Sequence, residues 1–173
     1  VDQAPTTAHQ ILPFTLEPKS STNEAAGLQL AGEVWQQHAP NRRLNIILFG
    51  DGEPNTGGGV FFCSAAKAAV KEADKLKSQG ARICTIGFKG SSYDPDHLRE
   101  LASSPSLNFH AKAGNIGNTF LNATQTITQM GQRNSQGELV IFVIDESGSM
   151  DEGTKKPEVE QAVKNSIEWL RTF

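Results

Sequence analysis

Leu139-Val140-Ile141-Phe142-Val143-Ile144-Asp145-Glu146-Ser147-Gly148-Ser149-Met150 decides the fold of this chain. Six apolar residues in succession predict a strand buried on both faces. The strand ends on a carboxylate, and two hydroxyls follow at alternate positions. Asp145, Ser147 and Ser149 therefore gather on a loop at the carboxyl end of a central strand. Open α/β sheets place their ligand sites there. Side chains that offer only oxygen suit a hard cation such as Mg²⁺.

Outward from this run, strand and helix signals alternate. Before it, residues 131–138 read as a polar linker. After it, a helix starting at Pro157 turns Val159, Ala162, Val163, Ser166, Ile167 and Leu170 inward. A weak strand is expected at 8–14, with Pro13 arguing for a sheet edge. The loop 19–23 caps a helix over 24–37 that carries Leu28, Ala31 and Trp35 at helical spacing. Leu44 to Phe49 form a second strong strand, followed by Gly50-Asp51-Gly52-Glu53 and a glycine-rich loop at 56–59. A helix over 64–79, a strand over 81–87 and a short helix opened by Asp94-Pro95 come next. A short strand over 107–110 and a helix over 116–130, with Phe120, Ile127 and Met130, complete the series. This alternation predicts an α/β fold: a doubly wound, mostly parallel sheet with helices on both faces.

The chain has 173 residues, 37% apolar and 20% charged, with a formal net charge of −3. That length suits one domain with a proper core. The charge does not favour nucleic acid as a partner, and no apolar run is long enough to span a membrane. Val1-Asp2-Gln3-Ala4-Pro5 lacks the regions of a signal peptide, which leans towards an intracellular setting without deciding it. Cys63 and Cys84 read as buried free thiols, and no spacing suits zinc. His9, His38, His97 and His110 are scattered and read as surface or core-edge residues; Trp35 and Trp169 read as core.

Three polar groups fall at matching places. Asp145-x-Ser147-x-Ser149 follows one strand, Asp51 follows another, and Thr22 precedes a helix. If the two strands are neighbours, these five oxygen-bearing side chains meet at one edge of the sheet. Glu53 and Glu146 add charge nearby and read as solvated rather than liganding.

At this point the chain resembles a von Willebrand factor A domain. That family carries a metal-ion-dependent adhesion site made of Asp-x-Ser-x-Ser, a Thr and a second Asp. Asp145, Ser147 and Ser149 match the first element, residues 45–55 resemble the strand and loop of the second Asp, Asp51, and Thr22 matches the Thr. The resemblance implies that Ser147, Ser149 and Thr22 touch Mg²⁺, or Mn²⁺ or Ca²⁺, while Asp145 and Asp51 act mainly through water. An open coordination position then accepts a carboxylate from a protein or peptide partner, and no chemical step is needed.

The family order is Asp-x-Ser-x-Ser, Thr, Asp; here it is Thr22, Asp51, Asp145. Circular permutation explains this, residues 1–130 being the back part of the domain and 139–173 its first strand and helix, joined by the linker. A fragment spanning two tandem domains, pairing as a swapped dimer, is the rival; a permuted domain is a monomer. The family also has two strands where only residues 1–21 stand here. Two other functions stay open: a metal-dependent phosphoryl-transfer or hydrolase site with Asp145 as nucleophile, and a scaffold with a vestigial site. Ser147 stands where the common phosphatase pattern has a second Asp, and the Gly57-Gly58-Gly59 loop lacks the Lys of a nucleotide-binding loop.

Overall fold

The computed structural model describes residues 23–50, 62–89, 93–130, 137–145 and 155–172. Helix α1 (Glu24–His38) leads into strand β1 (Arg43–Gly50), helix α2 (Phe62–Ser78) and strand β2 (Arg82–Phe88). Helix α3 (Pro95–Leu101) and a single 3₁₀ turn (Pro105–Leu107) precede strand β3 (Asn108–Ala111). Helix α4 (Ile116–Gln129), strand β4 (Glu138–Ile144) and helix α5 (Lys155–Thr172) follow. The expected weak strand at 8–14 lies outside the described residues.

The four strands form one sheet in the order β3-β2-β1-β4, every pair parallel. The last strand in the chain thus docks beside the first, with Leu44 opposite Leu139 and Phe49 opposite Ile144. Side chains alternate between the two faces, as the pleat demands. Ile47, Phe49, Cys84 and Ile86 point into a core closed by Phe120 and Ile127 of α4 and Val159 and Ala162 of α5. Leu44, Ile46, Leu48 and Ile83 point the other way, towards Leu28 and Trp35 of α1 and Ala69 and Leu76 of α2. The doubly wound α/β arrangement read from the alternation is the one observed.

Several boundaries and burials differ from the sequence reading. β4 was expected to be central and buried on both faces. Its seven residues are half-buried rather than buried, and the described residues do not test its central position. Helices cover its two faces, but a lateral neighbour is present only on the β1 side among the described residues. The strand also begins one residue before its apolar run, at Glu138, which pairs with Arg43 of β1; its side chain accepts a hydrogen bond from the fully buried Asn45 (Nδ2 to Oε2, 3.0 Å). Arg82 of β2 brings Nη1 to 3.8 Å from Glu138 Oε1 and donates from Nη2 to the Met130 carbonyl (2.8 Å). This polar group ties together the amino ends of three strands.

Leu107 closes the 3₁₀ turn rather than opening β3. Met130 follows α4 as its C-cap and is 46% exposed, so it does not extend the apolar stripe of Phe120 and Ile127. Cys63 lies within α2 rather than before it. Trp35 is buried, its Nε1 donating to the Arg42 carbonyl (2.8 Å), whereas Trp169 is only half-buried. Cys84 is free and fully buried, and burial pushes its thiol up to about 12, so it is held as the unreactive thiol.

Candidate functional site at the β1–β4 edge

Parallel strands bring their carboxyl ends to a common edge, here at Gly50, Phe88, Ala111 and Ile144. The chain leaves β1 for α2 on one face of the sheet and leaves β4 for α5 on the other. Neighbouring strands whose connections depart to opposite faces open a crevice between their carboxyl ends, the switch point where such sheets bind ligands.

Asp145 stands at that crevice. Its backbone N–H donates to the Phe49 carbonyl (2.9 Å), extending the β1–β4 ladder by one bond. Its side chain lies over Gly50: a methyl group placed there would come within 3.3 Å of Asp145 Cβ and 3.4 Å of Oδ2. The absence of a side chain at position 50 gives the carboxylate its room, and Asp51 is the next residue along the chain.

Thr22, Asp51, Ser147 and Ser149 lie outside the described residues, as do Glu53, Glu146 and Asp151. Among the described residues no three His, Cys, Asp or Glu side chains stand close enough together to hold a metal ion. Of the five sequence-predicted ligands the structure therefore places Asp145. The chemistry of the donor set, carboxylate and hydroxyl oxygens without nitrogen or sulfur, fits a hard divalent cation.

The first turn of α1 comes to the same end of the sheet. Asn23 caps it, its Oδ1 accepting from the Ala26 N–H (3.0 Å). A methyl group on Gly27 would stand 2.8 Å from Val143 Cγ1, so the helix backbone lies directly on the Val143 side chain of β4, two residues short of Asp145. Glu24, the first helical residue, bonds His97 of α3 (Oε2 to Nε2, 2.6 Å), and both residues are 7% exposed. Reading His97 as a surface or core-edge residue was therefore wrong. The available signal was helical spacing: His97 precedes the fully buried Leu101 by one turn.

Burial is the largest single influence on His97 and opposes its charge. The hydrogen bond and charge of Glu24, with the charges of Asp94 and Glu100, outweigh it and hold the imidazole above its usual value. A histidine raised in the folded state contributes stability that is complete below its unfolded value, about 6.5, and is lost as pH rises through the folded value. The thermal midpoint is accordingly expected to fall over the range from about pH 6.5 upward. His97→Gln, followed by circular dichroism melts, should flatten that part of the profile. Further along the same sheet edge, the Tyr93 hydroxyl meets His110 Nδ1. There burial, with a contribution from Lys89, keeps the imidazole below its usual value.

The family model of the von Willebrand factor type A domain matches residues 6–128. The chain belongs to that family. The matched span holds α1, β1, α2, β2, α3 and β3 and nearly all of α4, and it stops before β4 and α5. Von Willebrand factor A domains commonly act as metal-dependent protein-interaction modules and are typically not enzymes. No curated protein and no solved structure matches the chain. No helix among the described residues is long and apolar enough to cross a membrane.

Proposed function

We propose that this von Willebrand factor A domain is a metal-ion-dependent protein-binding module of the adhesion type. Ser147, Ser149 and Thr22 would hold Mg²⁺ directly, and Asp145 and Asp51 mainly through water. Neutral hydroxyls next to the ion leave it electrophilic, so a coordination position left open takes a carboxylate oxygen from an acidic residue of a partner. Mn²⁺ or Ca²⁺ could serve in its place, because hard oxygen ligands accept all three.

One observation carries this reading: Asp145 sits against Gly50, one residue from Asp51, at the crevice where connections from β1 and β4 diverge. In this reading the ligands come from opposite ends of the chain, the order expected of a circularly permuted domain. The parallel pairing of β4 with β1 supports that assembly.

Calorimetric titration of the whole chain with Mg²⁺, alone and with a short peptide bearing one glutamate, tests the proposal. The expected result is Mg²⁺ binding that tightens when the peptide is present, and peptide binding that disappears with chelator. Peptide and Mg²⁺ affinities that are independent of each other would overturn it.

A further inference from the structure

We infer that Tyr93, His110 and Lys89 form a second recognition point, at the carboxyl ends of β2 and β3, which takes the carboxylate of an acidic side chain on a partner protein without a metal ion. It is independent of the metal-dependent reading above.

Strands β2 and β3 end opposite each other, Phe88 beside Ala111, and the Lys89 N–H donates to the Ala111 carbonyl (2.9 Å), carrying the ladder one bond further. From here the chain leaves β2 for α3 on one face of the sheet and β3 for α4 on the other. The two ends therefore diverge as those of β1 and β4 do. His110 pairs with Gly87 across the ladder. The Tyr93 ring fills the place of a side chain at position 87: a methyl group there would lie 2.5 Å from Cε2 and 3.1 Å from the hydroxyl oxygen. Glycine thus lets the ring lie on the β2 backbone, edge-on to the imidazole, with ring centroids 5.7 Å apart and planes at 87°. From that position the hydroxyl reaches His110 Nδ1.

Burial holds the Tyr93 phenol above its usual value, and burial with Lys89 holds the imidazole below its own. The pair is therefore a phenol and a neutral ring at neutral pH. The phenol is the better donor and a bare ring nitrogen the better acceptor, so the hydroxyl donates to Nδ1 and the ring keeps its own proton on Nε2. Among the described residues Lys89 is the one charge that acts on the ring. Lys89 and His110 are both exposed. Together they offer an N–H donor and an ammonium with a single positive charge. A carboxylate matches them with one negative charge and an oxygen for each donor. A free small acid would stay largely in water at such an open place, unlike the ligands of concave sites. An Asp or Glu side chain carried on a larger surface excludes that water.

The test titrates the metal-free whole chain with acetate, the functional group of Asp and Glu, at constant ionic strength, and follows the ¹⁵N and ¹H resonances of the His110 ring. The ring is expected to carry its proton on Nε2 and to shift saturably with acetate. Lys89→Gln should weaken acetate about fivefold, the upper end of what an exposed charge contact supplies. Tyr93→Phe keeps the ring on Gly87 but should mix the two imidazole tautomers and weaken acetate. Lys75→Gln, which removes a positive charge from the exposed side of α2, should leave the affinity unchanged. A peptide bearing one glutamate should bind more tightly than acetate; equal affinities would overturn the assignment to a partner protein. A shift that grows without saturating overturns the site itself, as does equal affinity in wild type and Lys89→Gln, or a loss in Lys75→Gln matching that in Lys89→Gln. A ring protonated on Nδ1 would overturn the role of Tyr93 as the positioning residue.

Discussion

Replacing Asp145 and Asp51 together by asparagine is expected to abolish measurable Mg²⁺ binding while the domain stays folded. The two carboxylates carry the formal negative charge among the five proposed ligands; Ser147, Ser149 and Thr22 are neutral. A hard, strongly hydrated cation exchanges water for neutral hydroxyls reluctantly. Groups that act on a metal through water still cost about 10- to 100-fold in affinity when they are removed. Loss of both should thus weaken binding well beyond either alone. Folding should survive because the bond from Asp145 to β1 uses its backbone N–H, which asparagine keeps. Asparagine also preserves the side-chain shape packed over Gly50. Calorimetric titration reads the affinity and a thermal melt without metal reads the fold. Unchanged Mg²⁺ affinity in a folded double variant would remove Asp145 and Asp51 from the site.

The second large effect lies in the core. Phe120→Ala is expected to destabilise the domain by about 3–5 kcal/mol. Phe120 is fully buried on α4, its ring 5.1 Å from that of Phe49 on β1 and 6.5 Å from that of Phe142 on β4. It fills the space above the seam between these two strands. Domains of this size are stable by only about 5–15 kcal/mol, so the loss is a large share of the total. Denaturant unfolding measures it, with an unchanged slope expected if the native and unfolded states keep their compactness. A loss below about 1 kcal/mol would show that the face relaxes into the gap. Because the seam aligns Asp145 with Gly50, the variant should also weaken any metal binding at the β1–β4 edge.

The order of elements was legible in the chain because it rests on local physics. Apolar runs at 44–49 and 139–144 cannot be placed in water, and their length suits strands rather than helices. The stripe of Leu28, Ala31 and Trp35 repeats at the helical period, and Asp94-Pro95 marks a helix start because Pro suits the first turn. The residue types at 145–149 suggested hard-cation chemistry through oxygen donors alone, a reading that belongs to the proposal. Each of these conclusions needs no more than a few neighbouring residues, and the family resemblance read from them agrees with the family match.

Tertiary structure decided the rest. That β4 docks beside β1 rather than elsewhere depends on the fit of Phe142 to Phe120 and on the bond from Asn45 to Glu138, contacts separated by many residues. No periodicity within 139–144 could name β1 as its neighbour, because apolar side chains on both faces say nothing about which strand lies at a lateral edge. His97 looked unremarkable for a related reason. Its burial is set by Glu24, 73 residues away in sequence, and a pairing of that kind becomes visible only when two helices are brought together over the same sheet. Local residue types chose the elements; packing between distant segments chose which of them stand side by side.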